Sequence, residues 1–169
     1  MAQTDEAAPS SSQKRRGVRL FILTFFGALL FGVLAFSIRA SMRPPRADPT
    51  NVQLVARGRQ VYNAQCARCH GANLEGQPNW KAPLLDGSRP APPHDASGHT
   101  WHHPDTLLFN IVKYGGKVYA LPNEVNNMPA FGDVLSNEEI AAVIAYIKST
   151  WPPDIQRLQE EVNQQMSDK

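Results

Sequence analysis

Beyond one closely spaced pair, Cys66 and Cys69, the chain of 169 residues contains no cysteine. A structural zinc site commonly takes four protein ligands, from two Cys pairs or from a Cys pair and a His pair, and no second Cys pair exists to complete one. A thioredoxin-like redox pair sits inside a strand–helix alternation, and that pattern is missing around residue 66. A disulfide spanning only two residues would be strained and is rarely a fold's main staple. The chain beyond residue 50 also lacks a basic excess. Residues 1–50 carry seven Lys/Arg and three Asp/Glu, whereas residues 51–169 carry ten and twelve. The net charge of +2 therefore belongs to the N-terminal region. The globular part has no basic stripe of the kind that nucleic-acid binding needs, so no nucleic-acid partner is expected. No β-rich segment appears either, which predicts an all-α fold with long loops.

Charge is absent from residues 20–38, which read LFILTFFGALLFGVLAFSI. A helix over these residues would be roughly 28 Å long, close to the thickness of a bilayer's hydrocarbon core. Lys14, Arg15, Arg16 and Arg19 precede it in a polar, Ser-rich tail, which favours a cytoplasmic N-terminus; Arg39, Arg43 and Arg46 beyond it weaken that signal. The reading adopted is an uncleaved transmembrane anchor. The alternative, a cleaved signal peptide, would have a shorter apolar core and a small-residue cleavage site, for which Ala35-Phe36-Ser37 is a poor candidate. In both cases the chain after about residue 40 is exported. Residues 39–50 hold three prolines and read as a stiff tether.

The stretch around the cysteine pair reads QCARCHG, residues 65–71. Cys-x-x-Cys-His is the pattern of covalent haem attachment. Residues three apart on a helical turn share a face. Cys66 and Cys69 can then form thioethers with two neighbouring vinyl groups, while His70 reaches the iron from the same side. One covalent haem c is the cofactor this predicts.

Further features around the motif place it in a family. Residues 52–64 read as a helix, with Asp48 as its cap and Pro49 in its first turn. Ser136 to Glu139 form a capping box, flanked by Leu135 and Ile140 as a hydrophobic staple. The helix that follows carries an apolar stripe of Ile140, Val143, Ile144 and Ile147 and stops before Pro152. Between these two helices, residues 104–114 predict a third, ended by Gly115-Gly116, and Leu107, Leu108, Ile111 and Val112 on it would wall a haem pocket. The chain resembles a class I cytochrome c over about residues 51–152.

That resemblance implies a fold of three to four helices around a covalently bound haem, here preceded by one N-terminal transmembrane helix. The domains expected are a cytoplasmic tail (1–19), an anchor (20–38), a linker (39–50), a cytochrome c domain (51–152) and a C-terminal helical tail (153–169). By the same resemblance, Gly58 lets the first and last core helices approach, with Tyr62 and Tyr146 packed beside it. Met128, in the loop Asn127-Met128-Pro129, corresponds to the sixth-ligand loop, so His70 and Met128 would be the axial ligands. A thioether ligand raises the reduction potential. Pro83 would offer its carbonyl to the free ring nitrogen of His70.

Residues 87–103 hold four of the five histidines, His94, His99, His102 and His103. Three readings fit this loop. It wraps the haem edge, with Trp101, Arg89 or a His bonding a propionate; or several of its His bind copper or zinc; or one of them replaces Met128 on the iron. Residues 153–166 predict a short amphipathic helix with Ile155, Leu158, Val162 and Met166 on one face, packed on its own domain or offered to a partner.

With both axial positions filled no substrate reaches the metal, so the expectation is an electron carrier and not an enzyme. It would be anchored in a bacterial cytoplasmic membrane with the haem domain on the periplasmic side, exchanging single electrons with redox proteins. The rival readings are a haem subunit of a dehydrogenase or oxidase complex, and a haem sensor or metal-handling protein using the His-rich loop.

Overall fold

The computed structural model describes residues 24–34, 36–37, 44–120, 122 and 125–167. The chain divides into two units, residues 1–43 and 44–169. In the first, residues 24–34 are helical, and their large apolar side chains, Phe25, Phe26, Leu29, Leu30 and Phe31 among them, are exposed. Among the described residues no helix is long and apolar enough to cross a membrane. The expected span of residues 20–38 lies partly outside them, as does the whole of the expected tail 1–19.

The second unit is all-α. Helix α1 (Val52–Val61) runs without a break through a π-helical turn (Tyr62–Cys66) into the short α2 (Ala67–His70). A 3-10 turn (Thr100–His102) precedes α3 (Asp105–Tyr114), which leads through a second 3-10 turn (Gly116–Tyr119) and a loop to α4 (Asn137–Ser149) and α5 (Pro153–Ser167). Among the described residues the only strand-like pairing is an isolated parallel bridge between Ser88 and Val125.

The start of α1 corrects one expectation. The cap is Asn51, whose Oδ1 accepts the Leu54 N–H at 3.0 Å. Asp48 instead accepts from the N–H and hydroxyl of Thr50, at 2.9 and 2.7 Å, folding the turn upstream. Both residues are good caps; Asn51, three residues before the Leu54 N–H and next to the first helical residue, has the right reach.

Helix α4 begins as its sequence predicts. Ser136 Oγ accepts the Glu139 N–H, and a Glu139 carboxylate oxygen accepts the Ser136 N–H. Leu135 and Ile140 are both buried. The helix is buried well beyond its apolar stripe, with Ala141, Ala142 and Ala145 fully enclosed. Alanines allow a close crossing, and α1 makes one. A methyl group on Gly58 would fall on the Ala142 carbonyl and beside Tyr146 Cβ. Next to the crossing the rings of Tyr62 and Tyr146 lie 5.4 Å apart. This contact between α1 and α4 is the frame of the domain, with Val61, Ile140, Val143, Ile144, Ile147 and Trp151 forming its core.

Helix α5 packs on its own domain; Ile155 of the expected face packs against the core, but the buried face is turned away from Leu158 and Met166. Leu158 and Met166 are 43% and 51% exposed, whereas Gln159 is 1% exposed. The reason is a buried ion pair. Lys148 of α4 is enclosed, and its Nζ donates to both carboxylate oxygens of Asp105 at 2.9 and 2.8 Å. A buried charge pair stabilises only where the remaining polar valences are met. Gln159 Nε2 donates to Asp105 Oδ1 at 2.7 Å, and Asn163 Oδ1 accepts the Asp105 N–H at 2.8 Å. Gln159 also donates to the His103 carbonyl at 3.3 Å. The polar demand of the pair rolls Gln159 inward and ties α5 to the start of α3.

Gly58→Ala tests the α1–α4 crossing. Because the obstruction is backbone, the substitution is expected to destabilise the protein by about 1–3 kcal/mol. A lower urea midpoint with an unchanged slope is the expected result; a wild-type midpoint would mean that the helices part at no cost.

Candidate haem centre

The cysteine motif lies at the end of the long helical run. The Ala67 N–H donates to the Tyr62 carbonyl, five residues back, so the helix takes up one extra residue just before the motif. Such π-turns recur at functional sites. Cys66 closes the turn, partly buried, and Cys69 follows on α2, exposed; no disulfide joins them. Burial, helped by Cys69, pushes the Cys66 thiol up to about 11, so it stays protonated at neutral pH.

His70 is only 8% exposed. Its Nδ1 lies 2.9 Å from the Pro92 carbonyl oxygen. A carbonyl can only accept, so Nδ1 carries the proton and Nε2 keeps its lone pair. Burial lowers the His70 pKa, partly countered by that hydrogen bond, and favours the neutral ring that a metal ligand requires. The position expected for Pro83 is thus filled by Pro92. Pro83 is in an exposed stretch, residues 81–86. The backbone explains the difference. The chain turns back over the motif through Gln77 N–H to Ala91 O at 2.9 Å and His94 N–H to Leu74 O at 2.7 Å. Gly76, at φ +67°, lets Pro92 and Pro93 pass where a Cβ would overlap their backbone. Tyr62, fully buried, donates its hydroxyl to the Gly71 carbonyl at 2.8 Å and fastens the turn after His70.

Met128 is on a separate wall, partly buried. Its carbonyl accepts the Gly116 N–H at 3.1 Å, and its own N–H donates to Asn126 Oδ1 at 3.0 Å. Just beyond it, the Phe131 and Gly132 N–H groups donate to the Val112 and Lys113 carbonyls at 3.0 and 2.9 Å. The loop is thereby pinned along the end of α3. Asn126 had no sequence signal of its own. Of the α3 residues expected to wall the pocket, Leu108 is instead part of the buried core with Phe109.

The histidine loop is held by ring contacts. His94 stacks on His70, His99 on Trp80 and His102 on Trp101, and His103 meets His99 edge-on. Among the described residues no three or more His, Cys, Asp or Glu are grouped so as to hold a metal ion. Trp101 has a different property: its Nε1–H is buried with no hydrogen-bond partner. A buried indole donor without an acceptor costs free energy. It fits the carboxylate of a bound group. Two cysteines three residues apart, an imidazole nitrogen with its lone pair available and an orphaned buried donor together match what a covalent haem requires.

The family model described as "Cytochrome C oxidase, cbb3-type, subunit III" matches residues 53–147. The chain belongs to that family. It is a cytochrome c domain, and with Cys66, Cys69 and His70 in the attachment pattern its cofactor is covalent haem c. Over 103 residues it is 30% identical to "Nitrite reductase" of Stutzerimonas stutzeri, which takes in 57% of this chain and 16% of that protein. It is 29% identical over 103 residues to "Cytochrome c6" of Diacronema lutheri, which takes in 56% of this chain and 94% of that one. This cytochrome c thus shares one domain with a much longer protein and nearly the whole of a small one.

The loop of this cytochrome c carries a pH dependence. Partial burial lowers the pKa values of His99 and His103, and neighbouring imidazoles add to the effect. Folded values below the unfolded value of about 6.5 favour the neutral rings. Their contribution is complete above that pH and is lost as pH falls through the folded values. Urea unfolding should show lower stability at pH 5.5 than at 7.5, by less in His99→Gln/His103→Gln. The hydrogen-bonded carboxylates of Asp48, Asp86 and Glu139, with lowered pKa values, titrate only at more acidic pH. An equal fall in wild type and double variant would exclude His99 and His103 as its source and leave His94, whose burial holds its pKa well below the ordinary value.

Proposed function

We propose that this cytochrome c is a membrane-tethered, monohaem carrier of single electrons on the outer face of a bacterial cytoplasmic membrane. The observation that carries the reading is the 2.9 Å contact between His70 Nδ1 and the Pro92 carbonyl oxygen. A backbone carbonyl holds Nδ1–H, and the other ring nitrogen is left as a donor to iron. When bound, the haem supplies one-electron chemistry by alternating between ferrous and ferric iron. Cys66 and Cys69 would hold it through thioether bonds. His70 and Met128 would bind its iron, and a His/Met pair would raise the potential. Trp101 would donate to a haem carboxylate. With the iron held by two side chains, reactants would be kept from the metal, which is the chemistry of a carrier.

The tether is supported by the uncharged residues 20–38 and by the exposed apolar side chains of residues 24–34. A second reading draws on the description of the family as a subunit of a cbb3-type oxidase and on the match to one segment of a longer nitrite reductase. In that reading the domain feeds electrons to a catalytic subunit on another chain. Purification from native membrane separates the two, since a subunit stays with its partners and a free carrier does not.

Met128→Ala tests the ligand set. The variant should lose the weak far-red band of a sulfur–iron bond, bind carbon monoxide in the ferrous state and show a lower reduction potential. A wild-type spectrum would remove Met128 from the iron. Trp101→Phe should also lower the potential, because a haem carboxylate left without its donor favours the ferric state; potentiometric titration reads the shift, and no change would detach Trp101 from the haem. Cys66→Ser/Cys69→Ser should release its pigment on denaturation, and retention would disprove thioether attachment.

A further inference from the structure

His70 touches a second imidazole. The ring of His94 stacks on it with centroids 4.0 Å apart and planes 22° apart. His94 is held on several sides. Its Nδ1 is 2.8 Å from the hydroxyl of Thr100, itself buried. Its carbonyl accepts the Trp151 indole N–H at 2.7 Å, and its N–H donates to the Leu74 carbonyl at 2.7 Å. The Tyr62 ring meets it edge-on, 6.5 Å away. The backbone around it is anchored in the core, since Trp151 and Leu74 are both buried there. Two residues earlier, Pro92 accepts from His70. One short segment thus grips the His70 ring twice, at an edge through Pro92 and over a face through His94.

We propose that His94 is a positioning residue for His70: its stacked ring, oriented by Thr100, fixes the rotation of the axial imidazole about the bond to iron. The proposal rests on the reading of His70 as an iron ligand. One hydrogen bond at Nδ1 defines a direction but leaves the ring plane free to rock about it. A flat partner over the face removes that freedom, and flat groups stack best at small interplanar angles. The Thr100 hydroxyl, paired with His94 Nδ1, keeps that ring from turning in its own place. The orientation of an axial imidazole sets how unpaired spin spreads over a ferric haem, and an electron carrier gains from a ligand that holds one orientation in both oxidation states. An aliphatic side chain could fill the volume without imposing a plane.

The test uses the full-length, haem-loaded protein and two readouts, of which the first reports the orientation of the ligand ring directly. These are the pattern of hyperfine-shifted haem methyl resonances in the ferric protein and the reduction potential. His94→Leu should reorder or compress the methyl pattern and shift the potential while keeping covalent haem and helical content. His94→Phe restores a flat ring and should return the pattern toward wild type. A wild-type pattern and potential in His94→Leu would overturn the proposal. If His94→Leu does not accumulate, Thr100→Val decides, because it keeps the ring and removes its tie: a displaced pattern supports the proposal, and an unchanged pattern and potential overturn it. A wild-type protein whose ferric spectrum shows no imidazole on iron would overturn the underlying reading. Variants that leave a normally ligated cytochrome unmoved would overturn the positioning role alone.

Discussion

The hydrogen bond from His70 Nδ1–H to the Pro92 carbonyl decides more of this molecule's chemistry than any other single contact. Without it, a buried imidazole in this position would have two equivalent tautomers and no fixed direction. With it, one nitrogen is committed to the protein and the other is committed to whatever lies opposite. The geometry needs a bare carbonyl, and a proline is a suitable place for one: residues 92 and 93 are both prolines, so the backbone is stiff and the next N–H is missing. The bond also explains why residues 71–95 fold as they do. Their backbone pairings and the close pass at Gly76 serve to bring a carbonyl from the far end of the loop back over the helix that carries the motif.

Two walls have to meet around such a ligand, and both are referred to the same helix. The motif hangs from α1, which crosses α4 at Gly58. The Met128 loop hangs from the end of α3 and enters α4 through the Leu135–Ile140 staple and the Ser136 capping box. The α4 helix is buried almost all round and is followed by Trp151, whose indole reaches the His94 carbonyl. Movement of either wall therefore disturbs the tightest packing in the domain. A covalent cofactor adds to this frame: it enlarges a core that a domain of this size builds sparingly from side chains alone.

Local features of the sequence were readable and distant ones were not. The capping box, the staple, the glycine at the crossing and the Cys-x-x-Cys-His turn each act within a few residues or through a steric demand that only one residue type meets. The errors share a cause. Asp48 and Asn51 are both competent caps, and only the register of the first turn chooses between them. Pro83 and Pro92 offer the same carbonyl chemistry, and only the path of a long loop determines which one arrives. The inner face of α5 departs from its apolar stripe after Ile155 because Lys148 and Asp105, residues of two other helices, draw Gln159 inward. The stacking of His94 on His70 has no sequence signal beyond the abundance of histidine around it.

The polar tie at α5 gives the histidine loop its rigidity. The loop has little apolar substance of its own; residues 87–103 are rich in Pro, Gly, Ser and His. It is fixed at its start by the Ser88–Val125 bridge, in its middle by the Thr100–His94 and Trp151 contacts, and at its end by Gln159 on the His103 carbonyl. Gln159 is enclosed only because Asp105 needs it, and Asp105 is partly buried because Lys148 is. A chain of polar dependence thus runs from a buried lysine on α4 to the ring stacked on His70. A purely apolar patch would cover the same area but would allow the loop to slide. Directional bonds do not, and a ligand orientation that must persist while an electron arrives and leaves calls for that kind of constraint.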